Sequence, residues 1–80
     1  MSRNFELDLD WVRTRKGSYI ASHPDTGETV TVFRNRAGNW SGVWNDVFLS
    51  GHFESAQHAC WQMERWLDGG DVPLWHPPQR

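Results

Sequence analysis

Turn-forming residues interrupt the first fifty residues of the chain four times, whereas one later stretch has no such interruption. The turn signals lie at 14–17, 24–27, 35–39 and 45–46, and each contains Gly, Pro, Asn or Asp. Pro presets φ, Gly accepts a positive φ, and Asn and Asp side chains bond to their own backbone, so these residues favour turns. The stretch 56–68 contains neither Gly nor Pro. This spacing predicts short strands followed by one helix.

The segments between the turns have strand character. We predict strands over 5–11, 18–23, 28–34, 40–44 and 47–49. Segment 28–34 is rich in β-branched residues, and segment 5–11 alternates strictly between apolar and acidic residues. A period of two places one face of that first strand in the core and turns Glu6, Asp8 and Asp10 toward solvent.

The predicted helix has clear signals at both ends. Ser55 is a preferred N-cap residue, and Gly69-Gly70 ends the helix. At about 100° per residue, small and apolar side chains share one stripe: Ala56, Ala59, Cys60, Met63 and Leu67. Trp61 falls near the opposite side, where it anchors a partner, pairs with Arg65 one turn later, or is covered by the C-terminal tail.

The order of the predicted elements indicates an α+β fold. We expect an antiparallel β-meander of four to five strands packed on one C-terminal α-helix. Eighty residues suffice for a single domain, which we place at 1–70, with an extended Pro-containing tail at 71–80 in which Trp75 is docked. One helix covers only one face of such a sheet, so the other face meets solvent, a partner or a second copy.

The alternation within the strands predicts which side chains lie on that open face. We assign Ile20, Val30, Val32 and Val43 to the face beneath the helix. The residues assigned to the open face are Tyr19, Thr29, Thr31, Trp40 and Trp44. Large aromatic residues among threonines are typical of recognition surfaces. The alternative is that both tryptophans fill the core of a small domain.

The net charge of −2 conceals an uneven distribution. Five basic residues and only two acids lie between Arg13 and Arg36, whereas the rest of the chain is acidic. Alternate turns of a meander lie at the same end of the sheet, so the basic residues should converge there: Arg13, Arg15, Lys16, Arg34 and Arg36. The acids Asp25, Glu28 and Asp46 should converge at the other end. The alternative is an ordinary surface of mixed charge.

We find no catalytic signature. The single cysteine, Cys60, cannot form an internal disulfide, and its place on the buried stripe is typical of a small apolar residue rather than a nucleophile. The histidines are scattered at positions 23, 52, 58 and 76 and match no usual zinc spacing. No apolar stretch approaches the length of a membrane span. The sequence therefore predicts a cytoplasmic, non-enzymatic protein without a metal, a cofactor or a membrane partner.

The junction between the last strand and the helix carries one resemblance. From Gly51 the chain reads Gly-His-Phe-Glu-Ser-Ala-Gln-His-Ala, with Phe53, Ser55 and Ala59 at matching positions. This resembles the DNA-binding domain of the plant ethylene-response-factor type and the related arm-binding domains of phage integrases. The resemblance implies a sheet that reads the major groove with Arg and Trp side chains. Trp40 and Trp44 would correspond, although their strand carries no Arg.

In its size, its acidic balance and its combination of a sheet with one helix, the chain resembles phage-encoded inhibitors, including anti-CRISPR proteins. This resemblance implies a binder, in the cytoplasm of a bacterial host, that blocks DNA binding by a CRISPR-type effector complex. The strand carrying Glu6, Asp8 and Asp10 would face a basic channel as phosphates would, with Trp61 or the aromatic open face as anchor. The alternatives are a DNA-binding module that uses the basic residues and the sheet tryptophans, and a self-associating structural domain. We expect a monomer or a weak dimer.

Overall fold

A computed structural model describes residues 6–50 and 53–75. These residues form one antiparallel sheet of six strands, arranged in sequence order, and a single helix that packs against it. The strands are β1 (Val12–Arg13), β2 (Tyr19–Ser22), β3 (Thr29–Arg34), β4 (Trp40–Trp44), β5 (Val47–Leu49) and β6 (Leu74–Trp75), and the helix is α1 (Ala56–Leu67). The predicted α+β class is confirmed. The predictions for Phe5, Gly51, His52, His76 and the last five residues lie outside the described residues.

Helix α1 begins and ends where its capping residues predict. The Ser55 side chain accepts a hydrogen bond from the backbone N–H of His58 at 3.1 Å, which satisfies a donor of the first turn. At the other end Gly69 adopts a φ of 83°. The N–H of Gly70 then donates to the carbonyl of Arg65 at 2.7 Å, closing the helix in a Schellman motif.

The β4–β5 hairpin is closed by a two-residue turn. Asn45 and Asp46 have φ values of 55° and 64°, the left-handed conformations of a type I′ turn. The backbone twist of this turn matches the twist of its two strands, so Trp44 pairs directly with Val47. The prediction that Asn45-Asp46 closes a tight hairpin is confirmed.

The core lies between α1 and the middle of the sheet. Its fully buried side chains are Val30 and Val32 from β3 and Ala59 and Met63 from α1. Gly42 on β4 lies directly beneath Met63, because a Cβ placed at Gly42 would stand 2.5 Å from the Met63 Cε atom. A glycine in the middle of a strand is therefore what lets the helix lie this close to the sheet.

The predicted strand over 5–11 is wrong, although its alternation is real. Leu7, Leu9 and Trp11 pack against the core, whereas the acidic residues between them are exposed. Only Val12–Arg13, which follows this segment, pairs with β2. The acidic segment, residues 6–10, lies against α1 instead, because its backbone donors bond to a helix side chain.

The predicted faces of the sheet are partly wrong. Val30 and Val32 lie beneath the helix as expected. Tyr19 pairs with Val32 and so shares the helix-facing side, as do Trp40 and Trp44, which flank Gly42 on β4. Three aromatic residues assigned to the open face, Tyr19, Trp40 and Trp44, thus pack against the core.

The open face carries aliphatic residues that we had placed in the core. Ile20 and Val43 both pair with Thr31, so all three share the side away from the helix. Thr29 and Thr31 lie on the open face as predicted. The prediction failed because residues on both sides of this sheet are apolar, so alternation alone does not reveal which side faces the helix.

Gly42→Ala should lower the free energy of unfolding by about 1–3 kcal/mol, because the added methyl group overpacks the space that Met63 occupies. In a Met63→Leu background the same change should cost at least about 0.5 kcal/mol less, since the Cε atom is absent. Urea unfolding of the four proteins measures this coupling. Costs that simply add would show that Met63 does not limit the space at Gly42.

Candidate protein-binding surface

The carboxylate of Glu64 on α1 holds the acidic segment in place. Its Oε1 accepts the backbone N–H of Asp8 at 2.8 Å, and its Oε2 accepts the backbone N–H of Leu9 at 3.0 Å. Oε2 also accepts the indole N–H of Trp11 at 2.8 Å. Hydrogen bonds to a charged acceptor are stronger than neutral ones, so one side chain fixes a segment more than fifty positions earlier in the chain.

This role of Glu64 was missed in the sequence. Glu64 lies four residues after Cys60, immediately beside the apolar stripe of the helix. An acid at that position is near the core edge, where unpaired backbone donors need an acceptor. This position beside the stripe was the only signal in the sequence for the role of Glu64. It does not show which N–H groups the carboxylate binds.

A cleft of about 450 Å³ opens between the acidic segment, the β2–β3 turn and α1. The acidic segment contributes Glu6, Asp8 and Leu9, and the turn contributes Pro24 and Asp25. The helix and its C-cap contribute Trp61, Glu64, Arg65, Leu67 and Asp68. Five of these residues are acids and one is basic, so the cleft is negatively charged at neutral pH.

His23 positions the turn that forms one wall of this cleft. The side chain is buried, and its Nδ1 accepts the backbone N–H groups of Asp25 at 3.0 Å and Thr26 at 3.3 Å. The Asp25 carboxylate is therefore carried on a braced turn. The sequence predicts Asp25 at the acidic end of the sheet. It contains no signal that Asp25 lies near the acidic segment.

Trp61 lies in the cleft as a half-buried aromatic side chain. The guanidinium carbon of Arg65 lies 4.9 Å from the centroid of the Trp61 ring, which confirms the predicted cation–π pair. The alternative in which the tail covers Trp61 does not hold for Leu74 and Trp75. Both residues pair with β5 in the sheet, and the Trp75 ring docks 5.7 Å from that of Phe48.

The other predicted contact residues divide between the surface and the core. Asp10 is exposed at the end of the acidic segment. Trp44 lies between the rings of His23, at 4.9 Å, and Trp66, at 5.2 Å. Tyr19 and Trp40 are 5.9 Å apart and pack against the core. Tyr19, Trp40 and Trp44 therefore pack against the core on the helix side of the sheet.

The predicted basic residues lie at one end of the sheet. Arg13 pairs with Tyr19, and Tyr19 pairs with Val32, two residues before Arg34. Strands lie about 4.8 Å apart, so the strands carrying the two arginines are about 10 Å apart. The exposed basic residues at this end, called the basic end below, are Arg13, Arg15, Lys16, Arg34 and Arg36.

Cys60 is unsuited to nucleophilic chemistry. Its side chain is only 2% exposed, and burial, together with the negative charge of Glu64, raises the pKa of the thiol from 9.0 to about 12. The thiol therefore stays protonated at neutral pH, whereas the thiolate is the reactive form.

The described residues contain no group of three or more His, Cys, Asp or Glu side chains arranged to hold a metal ion. Over the same residues, no helix has both the length and the apolar character that crossing a bilayer would take. No family model, curated protein or solved structure matches the chain. The surface must therefore be interpreted from its own geometry and charge.

Glu64→Ala should lower the free energy of unfolding by about 2 kcal/mol, because three donors lose a charged acceptor. Glu64→Gln keeps one carbonyl oxygen and should cost about half as much. Glu28→Ala, which removes an exposed acid, is the matched control in urea unfolding. Equal stability of the Glu64→Ala and Glu28→Ala proteins would contradict the proposed role of Glu64.

The stability of the protein should fall at alkaline pH partly through Cys60. The folded state binds the thiol proton more tightly than the unfolded state, because the folded pKa is raised to about 12. This contribution is complete below pH 9.0 and is lost as the pH rises from there toward 12. Urea unfolding between pH 8 and pH 11 should show a shallower decline for Cys60→Ala than for the wild type. Parallel declines would contradict the assignment.

Proposed function

We propose that this chain is a small non-enzymatic inhibitor of the anti-CRISPR kind. Its acidic surface would occupy the DNA-binding channel of a bacterial CRISPR-type effector complex and exclude the DNA. The observation that carries the proposal is the negatively charged cleft, in which Trp61 lies beside the acidic segment.

The acidic segment supports this proposal by its geometry. Glu6, Asp8 and Asp10 are exposed, whereas Leu7 and Leu9 between them pack against the core, so the three carboxylates face solvent together. The contacts of Glu64 hold this segment against the helix, which lowers the entropy lost on binding. A fixed group of negative charges is what a channel built for phosphates attracts.

Trp61 and Arg65 supply the other half of a binding surface. Trp and Arg are enriched among the residues that dominate binding energy at protein interfaces. The cation–π pair holds both side chains in one arrangement beside the carboxylates. The acids would thus steer the encounter, and Trp61 would add apolar contact area at its centre.

A DNA-binding module is the second candidate, supported by the convergence of basic side chains at the basic end. The sheet tryptophans that this alternative requires, Trp40 and Trp44, pack against the core on the helix side. Bases would therefore have to be contacted without them. The net charge of −2 also opposes binding to a polyanion.

A competition assay tests both candidates. Fluorescently labelled target DNA is titrated with a CRISPR-type effector complex, with and without the chain, at two salt concentrations. The wild type should weaken DNA binding by the effector, and the triple variant Glu6→Lys, Asp8→Lys, Asp10→Lys should lose at least about ten-fold in inhibitory potency.

The matched control changes the charge equally at exposed acids elsewhere, namely Glu28→Lys, Glu54→Lys and Asp71→Lys. This control should retain most of its potency. Equal loss in both triple variants, or no inhibition by the wild type across effector types, would contradict the proposal. Binding of the labelled DNA by the chain itself, abolished by neutralising the basic end, would establish the DNA-binding candidate instead.

A further inference from the structure

The face of the sheet opposite α1 carries one continuous row of paired residues. From β1 to β6, each residue of the row is the direct partner of the next: Val12, Ile20, Thr31, Val43, Phe48 and Trp75. Directly paired residues of antiparallel strands point to the same side. The row therefore crosses the whole described sheet on the side away from the helix, and five of its six members are apolar.

Aromatic contacts extend this apolar surface. The ring of Phe33 meets that of Phe48 edge-on at 6.2 Å, and Phe48 meets Trp75 at 5.7 Å. At the two ends of the row, Val12 is 59% exposed and Trp75 is 48% exposed. Between these ends, Ile20, Val43 and Phe48 are half-buried. The row is thus a partly exposed apolar surface, of the kind that binds another protein.

Among the described strands, this open face carries no charged side chain. Besides the row and Phe33, its members are Ser22, Thr29 and Ser41. Nucleic acids and anionic membranes are attracted by Lys and Arg, so the face suits neither. In a dimer with a two-fold axis, each copy presents the same face to the other, and an uncharged face does so without repulsion between like charges.

We propose that the open face is the interface of a symmetric homodimer, in which two sheets pack face to face. Each α1 then lies on the outside of the dimer, because it packs on the other side of its sheet. The two acidic clefts point away from each other and stay accessible. The dimer thus presents two copies of the surface to which we assign partner binding.

The size of the face predicts the strength of the dimer. The six strands contain two to six residues each and lie about 4.8 Å apart, which gives a footprint of about 350 Å² per copy. A standard stable interface takes about 800 Å² from each partner. We therefore expect weak association, with a dissociation constant on the order of 100 μM.

Sedimentation equilibrium of the full chain from 10 μM to 1 mM tests this proposal. The average mass should rise from 9.3 kDa toward twice that value. Thr31→Lys places two positive charges near the centre of the interface and should weaken association at least ten-fold. Ala37→Lys, the same charge change in an exposed turn, should leave association unchanged.

Circular dichroism shows whether Thr31→Lys folds. If it does not, a second variant tests the same interface. Trp75→Ala removes a half-exposed ring from the two-residue edge strand β6 and should weaken association several-fold. A monomer at 1 mM, assembly beyond a dimer, or unchanged association in whichever variant folds would overturn the proposal. The Glu6, Asp8 and Asp10 reversals should leave the dimer intact, so this inference and the proposed inhibition fail separately.

Discussion

One carboxylate organises the side of this molecule that carries the acidic cleft. Glu64 accepts hydrogen bonds from two backbone N–H groups of the acidic segment and from the Trp11 indole. Without these bonds, the N–H groups of Asp8 and Leu9 would lose their charged acceptor, and only the packing of Leu7 and Leu9 would hold the segment in place. With them, the acids of the segment, the β2–β3 turn and Trp61 become walls of one cleft. The contacts of Glu64 therefore help to bring acidic residues from distant parts of the sequence to one surface.

The close approach of helix and sheet at Gly42 gives the molecule two unlike sides. Met63 fills the space above Gly42, so α1 packs over β3 and β4 and the core closes on that side alone. The helix side gathers charged residues around its cleft, whereas the opposite side carries apolar, serine and threonine side chains and no charge over the described strands. Two surfaces of unlike chemistry thus lie on opposite sides of one small chain.

The architecture could be predicted from the sequence because local signals determine it. Ser55, Gly69 and the Asn45-Asp46 turn act within a few residues, and each is found where its chemistry predicts. The phase of the strands could not be predicted, since Ile20 and Trp44 are both apolar and only packing against the helix separates them. The contacts of Glu64 also escaped prediction, because they join residues more than fifty positions apart. Trp61 was found because it departs from the helix stripe.

The meander order of the sheet affects the order in which parts of the molecule are expected to fold. Neighbouring strands are neighbours in sequence, so the hairpins close small loops and we expect them to form early. The bonds between Glu64 and residues 8, 9 and 11 span 53 to 56 positions and need a completed helix. We therefore expect docking of the acidic segment to come late in folding and to be reversed early in unfolding. A chain that had lost only this docking would keep its sheet and lose its charged cleft, so the cleft is less stable than the fold that carries it.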